Sequence, residues 1–464
     1  MPDTLALIAN AAGKLTREGL RVTGRGGTAL PGLVALTVDP NFITALSSGL
    51  SHGVVCVSGT NGKTTTARML ADIARAAGWE PIHNRSGSNL DRGVAAALLA
   101  DANWYGETRG DVGLFEIDEA SLPNVVARLN PRVVVVTNLF RDQMDRYFEL
   151  DTLAKRIGET LATTLPAETI FVLNADDPLV ANLALRRDAK KIFFGVDDDS
   201  VGGTVPQAIS DATRCPRCKA PLAYRRVVLA HVGDWSCSSC GLARPPRDVS
   251  ATKVVLGESW SEISLAGTIG SVFAAVRVPI PGLYNAYNAL AALGAARAFD
   301  IGLTDATRAL ANFRPAFGRL ETVDLEGRTL RLVLVKNPAG FNAAVGALLE
   351  TGRKPRLLAA LNDRDADGRD VSWIWDADFE TLAPAVEHAV ITGIRGRDLA
   401  LRFKYAGLPK ERIEVVDEWR AAIERAVSLA PRGSEVVVLA TYTAMLELRS
   451  ALSQVGAVTP FWED

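Results

Sequence analysis

Residues 54–57 form an unbroken apolar run closed by Ser58 and Gly59, the pattern of a strand buried on both faces. Beyond Lys63 and three threonines the apolar positions fall at Ala67, Leu70, Ala74 and Ala77, the spacing of one helix face. Short apolar runs recur at 113–117, 133–137, 169–173 and 191–194 between polar or turn residues, as strands of a parallel sheet do. From about 197 to 250 the alternation breaks, and the chain turns to Gly, Pro, Cys and Arg, which reads as an insertion. It resumes with Pro281-Gly282-Leu283-Tyr284-Asn285-Ala286-Tyr287-Asn288 and an alanine-rich helix to about Phe299. A second block predicts strands at 332–335, 356–361, 389–392, 413–416 and 435–440. The pattern is that of an α/β protein with two sheets, the second smaller and Rossmann-like. The expected divisions are an N-terminal docking segment over 1–48, a central domain over 49–318 with an insertion at 205–250, and a C-terminal domain over 319–464.

The 464 residues are long enough for two or three cores. A net charge of −2 speaks against a nucleic-acid partner, which would usually bring a basic excess. No apolar run is long enough to span a bilayer, and residues 1–25 lack the apolar core of a signal peptide. Five cysteines without such a signal fit a reducing cytoplasm. Lys14, Arg17, Arg21 and Arg25 among small apolar residues suit a docking helix better than a membrane-surface one. The expected location is cytoplasmic, with peripheral attachment to the inner membrane face left open.

The strand, the Gly-rich turn and the helix start at Lys63 make a phosphate cradle, because free N–H groups and the positive helix end point at an anion. Lys63 is placed to reach terminal phosphates, and the Thr64 hydroxyl to ligate magnesium. The spacing is G-x-x-G-K-T-T, with Val57 where a standard P-loop has its first glycine. Cys215 and Cys218, eighteen residues, then Cys237 and Cys240 is the spacing of a closed four-thiolate structural zinc site. His231, between the pairs, reads as a loop residue, and Cys56 as core. Glu116, Asp118 and Glu119 close one predicted strand, Asn138 follows another, and Asn174-Ala175-Asp176-Asp177-Pro178 follows a third and offers groups for a nucleoside. Ligands of open α/β sheets bind at such strand ends, and magnesium takes hard oxygen ligands.

These residues resemble the Mur ligase superfamily: G-T-N-G-K-T-T, T-N-x-x-x-D-Q-M-D, N-A-D-D-P, G-x-Y-N-x-Y-N-A-L-A-A and Gly318-Arg319. Together with the four cysteines, Lys336-Asn337-Pro338-Ala339-Gly340-Phe341-Asn342 and the stretch from Leu361 to Asp376, they look like the MurT family across nearly the whole chain. The resemblance implies ATP-dependent activation of a carboxylate as an acyl phosphate, which an amine then opens. It places ATP on Gly59, Thr60, Asn61, Gly62, Lys63, Thr64 and Thr65, with Asn138, Asn285 and Asn288 beside it and Arg319 toward the γ-phosphate. Magnesium would sit on Thr64 and Glu116, and zinc on the four cysteines. It further implies a GatD-like glutaminase partner in a heterodimer, with Asp370 completing that partner's Cys–His triad, and lipid II as substrate. Where amino-acid-adding relatives carry a metal-site histidine this chain has Gln143, and Lys155 lies near the place of their carbamylated lysine. About fifty residues precede the loop, too few for a domain that would recognise UDP.

Three readings follow. The first is amidation of the D-glutamate α-carboxylate of lipid II to D-isoglutamine with ammonia from the glutaminase. The second is a stand-alone amino-acid ligase of the folylpolyglutamate kind. The third is a zinc-ribbon binding protein switched by nucleotide.

Overall fold

The computed structural model describes residues 4–22, 29–84, 88–141, 150–183, 187–204, 211–257, 259–267, 274–314, 319–349 and 354–458. They fall into two compact units, one drawn from 1–140, 149–279 and 284–313, the other from 141–148, 280–283 and 314–464.

The first unit carries β1 (Gly53–Ser58), β2 (Pro81–His83), β3 (Val112–Glu116), β4 (Val133–Val136), β5 (Ile170–Asn174) and β6 (Lys191–Val196). A hairpin of β7 (Ala223–Leu229) and β8 (Val232–Ser236) follows, then β9 (Val249–Leu256), β10 (Ser261–Gly267) and β11 (Ala274–Val278). The nine-stranded sheet runs β11-β10-β9-β6-β5-β4-β1-β3-β2. Its β2 to β9 portion is parallel, and β10 and β11 are antiparallel additions. All four valines of β4 are buried. A strand between two parallel neighbours, covered on both faces, has no solvent side, so its sequence shows no alternation. The strands beyond β6 escape the sequence pattern for the converse reason: in β9, parallel to β6 and antiparallel to β10, exposed Thr252 and Lys253 interrupt apolar positions, as befits strands with a wet side near a sheet edge.

β1 pairs with β3 on one side and β4 on the other, so chain order reverses at β1. That reversal opens a crevice beyond the C-terminal ends of β1, β3 and β4, the place where open α/β sheets hold ligands. Three helices precede β1, Thr4–Val22, Leu30–Val38 and Phe42–Ser47. All three pack on the helix Asp91–Asp101, the first two through glycines: a Cβ on Gly32 would lie 2.0 Å from the Arg92 carbonyl, and one on Gly13 2.1 Å from Leu99.

The second unit carries β12 (Arg319–Leu325), β13 (Arg328–Leu334), β14 (Arg356–Ala360), β15 (His388–Thr392), β16 (Ile413–Val415) and β17 (Glu435–Ala440). Its six-stranded order is β12-β13-β17-β14-β15-β16, parallel except for the β12–β13 hairpin. Glu326 (φ 51) and Gly327 (φ 75) turn that hairpin, the two left-handed residues a tight hairpin turn requires. Among the described residues no helix is long and apolar enough to cross a membrane.

Candidate functional site

The loop after β1 enters the helix Lys63–Ala76 through Gly62, which adopts φ 89 and is followed by no side-chain cap. Glycine brings no capping side chain to the first turn, the arrangement in which a helix N-terminus is turned toward an anion. Gly59 (φ 125) has no room for a side chain, since a Cβ would lie 2.2 Å from Thr137 Oγ1; one on Gly62 would lie 2.0 Å from Asn288 Oδ1. Gly62→Ala should therefore weaken binding of a magnesium nucleotide at least about tenfold, read by calorimetry. Gly78 also has positive φ (85) but nothing within 4 Å of its Cβ position, so Gly78→Ala should leave binding unchanged.

Lys63 is buried and donates to the Gly59 and Thr60 carbonyls and, at 3.0 Å, to Glu119 Oε2. The two side chains are 7% and 5% exposed. Of the carboxylates that close the β3 segment, the sequence assigns Glu116 to magnesium and leaves Glu119 without a role; Glu119 anchors the loop lysine. Glu116 ends β3 beside β1, and its backbone N–H and carbonyl are both held by the Asn84 side chain. Its Oε2 is buried with no hydrogen-bond partner, a group suited to ligate a cation because a buried carboxylate oxygen without a partner is expensive. Thr64 stands at the second position of the helix, half-buried, and Thr65 is buried.

The segment after β4 buttresses the loop. Thr137 Oγ1 donates to Asn61 O at 2.7 Å. Asn138 takes the Asn61 N–H on Oδ1 and returns Nδ2 to the Asn61 carbonyl. Phe140 N–H donates to Thr60 Oγ1 at 2.9 Å, and that hydroxyl donates to the Phe140 carbonyl. Asn138 thus shapes the loop with both ends of its amide. Asn288 packs on Gly62 and donates to Asn285 Oδ1 at 3.0 Å, both asparagines being buried.

The Asn174–Asp177 stretch corrects the expectation of groups offered to a nucleoside, because its side chains are spent internally. Asn174 donates to the Thr137 carbonyl. Asp176 accepts from Arg244 Nε (2.7 Å), Val196 N–H (2.9 Å) and Tyr287 Oη (2.7 Å). Burial and that carboxylate push the Tyr287 hydroxyl well above its ordinary pKa, which keeps it a donor. Asp177 caps the helix Pro178–Asn182 with Oδ1 and takes the Leu139 N–H on Oδ2 at 2.8 Å. His231 is the loop residue the sequence suggested, in the β7–β8 turn and outside the cysteine cluster, but it is fully buried, 3.5 Å from Asp177 Oδ2 and against the Phe140 ring. Nothing in the local sequence marks it, since burial of a turn residue depends on where the hairpin folds back.

The four cysteine sulfurs lie within 4.8 Å of one another, with Cys215–Cys240 at 3.6 Å and Cys218–Cys237 at 3.5 Å. A tetrahedron with metal–sulfur bonds of about 2.3 Å has edges of about 3.8 Å, so the set fits one ion. Both pairs use the same turn. Lys219 N–H bonds to Cys215 O and Gly241 N–H to Cys237 O, with φ 63 and 72 at the residues after the second cysteines. Burial opposes ionisation of Cys237, but backbone N–H groups of Cys240 and Ser239 and neighbouring thiols bring it down to about 7. Cys56 is fully buried in β1, and burial raises its thiol.

In the second unit Asp370 is exposed and accepts the Ser372 N–H at 2.8 Å. Asp367, in the same D-G-R-D stretch, is buried on Thr443. Asn362 bridges Thr443 Oγ1 and the Ile394 N–H, so the loop carrying Asp370 is pinned at the C-terminal end of β14. Arg319 begins β12; its side chain and Gln143 lie outside the described residues. Lys155 is 76% exposed beside Glu159 at 3.9 Å, and among the described residues it belongs to no cluster of metal-ligating groups.

Two family models match the chain, Mur ligase middle domain over residues 57–213 and MurT ligase C-terminal over 334–445. The chain is 33% identical to the MurT subunit of the glutamine-hydrolysing lipid II isoglutaminyl synthase of Streptococcus pneumoniae, over 98% of this chain and 97% of that one. It is 34% identical to the corresponding Staphylococcus aureus subunit, over 85% and 86%. Among solved structures it resembles Mycobacterium tuberculosis folylpolyglutamate synthase complexed with ADP, with a TM-score of 0.63 and 17% identity over 97% of this chain and 100% of that one.

Proposed function

The chain belongs to the MurT family, and from that premise we propose that it is the ligase subunit of a lipid II isoglutaminyl synthase. It converts the α-carboxylate of the stem-peptide D-glutamate to the amide of D-isoglutamine at the expense of ATP. The observation that carries this is the MurT likeness along nearly the full length of both chains, joined to a phosphate loop at the sheet's switch point.

The γ-phosphoryl group passes to a carboxylate oxygen and ADP leaves. Ammonia then attacks the acyl carbon, the carbon–oxygen bond to phosphate breaks, and the proton shed by nitrogen leaves with the phosphate. Such transfer needs positioning and charge neutralisation more than covalent chemistry from the protein. The loop N–H groups and the Lys63 ammonium supply both. ATP would lie on Gly59 to Thr65, with Asn288 against Gly62 and bonded to Asn285, and Asn138 holding the loop's shape. Thr64 and the unpartnered Glu116 carboxylate would hold magnesium, which when bound neutralises phosphate charge. Arg319 is proposed for the γ-phosphate.

Cys215, Cys218, Cys237 and Cys240 would hold a structural zinc ion in a ribbon-like insertion, over 205–250 of a central domain spanning 49–318. All four ligands are protein thiolates, so zinc there takes no part in the chemistry. Replacing Cys215 and Cys218 together by serine should release the metal and lower the melting temperature. Full zinc by elemental analysis in that variant would refute the site.

The partner is a GatD-like glutaminase on the C-terminal domain (319–464), with Asp370 orienting its histidine. An exposed aspartate fixed by one backbone N–H supports this reading, as does the neighbouring exposed pair Trp375 and Tyr405, 50% and 70% exposed and in edge contact. Aromatic side chains of that kind are enriched in interfaces. A lipid-linked substrate places the work at the cytoplasmic membrane face. With the purified chain, ADP release should require lipid II and proceed with ammonium, responding to glutamine only once the glutaminase is added. Release driven by free glutamate and an acceptor would instead indicate the stand-alone amino-acid ligase.

A further inference from the structure

The β7–β8 hairpin between the two cysteine pairs reaches into the body of the first unit at the point where the phosphate loop is buttressed. Its turn is fixed: Ala230 adopts φ 54, Tyr224 Oη donates to the His231 carbonyl at 2.9 Å, and Gly233 N–H donates to the Asp176 carbonyl at 2.8 Å. Trp235 Nε1 adds a bond to the Ala175 carbonyl at 3.1 Å. The turn delivers His231 to a fully buried position where neither ring nitrogen has a hydrogen-bond partner within bonding geometry. A buried imidazole with unsatisfied nitrogens is a poor choice for packing alone.

From His231 two short routes lead to the loop. Nε2 faces Asp177 Oδ2 at 3.5 Å, and that oxygen holds the Leu139 N–H. The ring lies against Phe140, 4.6 Å between centroids, and Phe140 clasps the Thr60 hydroxyl through both its backbone groups. Arg244, just past the last cysteine, makes a separate connection: it bonds Asp176, which bonds Tyr287, one residue before the asparagine that packs on Gly62.

We propose that His231 is a positioning residue for the nucleotide loop, through which the cysteine insertion sets the geometry of Thr60 and so the affinity for nucleotide. This rests on the reading of the loop as the ATP site. The insertion would then act as a brace, and loss of its metal would be felt at the phosphates without any zinc chemistry there.

The test compares His231→Leu and His231→Gln with wild type, measuring Kd for magnesium–ADP by calorimetry, zinc content and Tm. Leucine fills a similar volume and removes the two unpaired nitrogens, so a pure packing role predicts an unchanged or raised Tm with wild-type Kd. The brace predicts a Kd weakened about tenfold with zinc retained, and near-wild-type affinity in the glutamine variant, which keeps a polar group facing Asp177 Oδ2 as Nε2 does. Wild-type affinity in the leucine variant overturns the proposal, and equal losses in both variants overturn the route through Asp177. Should the leucine variant not fold, amide exchange on wild-type protein decides. Stripping the metal with a chelator should raise exchange at Leu139 and Phe140 together with Gly233, and unchanged protection at Leu139 and Phe140 contradicts the brace. Absence of nucleotide binding by wild type would overturn the ATP site itself, and the brace with it.

Discussion

Lys63→Ala abolishes amidation with either nitrogen source, lowering ADP formation by about 10²–10³-fold or more, the effect of removing a preorganised charge from a transferring phosphoryl group. Lys63 is the one cation the structure places in the loop itself, held by two loop carbonyls and Glu119. Its removal has a second consequence, because Glu119 is left buried without its cation. Breaking a buried pair from one side destabilises by about 3–5 kcal/mol, so inactivity of the single variant could reflect unfolding. The double variant Lys63→Ala/Glu119→Gln removes the stranded charge and should recover most of the melting temperature while remaining inactive. A folded double variant that still forms ADP with lipid II and ammonium would remove Lys63 from the chemistry.

Asp370→Asn separates the two half-reactions. Ammonium-dependent amidation should stay at the wild-type rate, because Asp370 is exposed and its only described hydrogen bond is to the Ser372 N–H. Glutamine-dependent amidation in the complex should fall by about 10³-fold or more, the scale of losing the carboxylate that orients a catalytic histidine. Asparagine retains the oxygen that accepts from Ser372, so the turn survives. Asp367→Asn makes the contrast: Asp367 is buried on Thr443, and its loss should disturb the fold and both nitrogen sources alike. Equal loss of ammonium and glutamine use in Asp370→Asn would refute the triad role.

The parallel strands were legible because burial on both faces writes itself as an apolar run: β4 and β17 appear in the sequence almost residue for residue. The phosphate loop was legible because its glycines are demanded by backbone conformation, with φ 125 and 89 at Gly59 and Gly62. The strands β9 to β11 at the sheet's far side were not, since half-solvated strands mix charge with apolar positions. Side-chain partnerships were the least visible part. Glu116 and Glu119 end the same strand segment, yet one carboxylate has an unpartnered oxygen and the other grips Lys63. That difference comes from the direction each side chain takes after β3 and from Lys63 arriving from another element. The Asp176–Arg244–Tyr287 set joins residues more than sixty positions apart, and no local pattern announces such contacts. His231 belongs to the same class.

The most direct test of the central claim follows an oxygen atom. Lipid II carrying heavy oxygen in the D-glutamate α-carboxylate is incubated with the wild-type chain, ATP, magnesium and ammonium. The inorganic phosphate and the stem peptide are then read by mass spectrometry. An acyl phosphate predicts one labelled oxygen in each phosphate released and an amide at the D-glutamate α-position. Phosphate free of label, or a product lengthened by an amino acid in place of the amide, would contradict it.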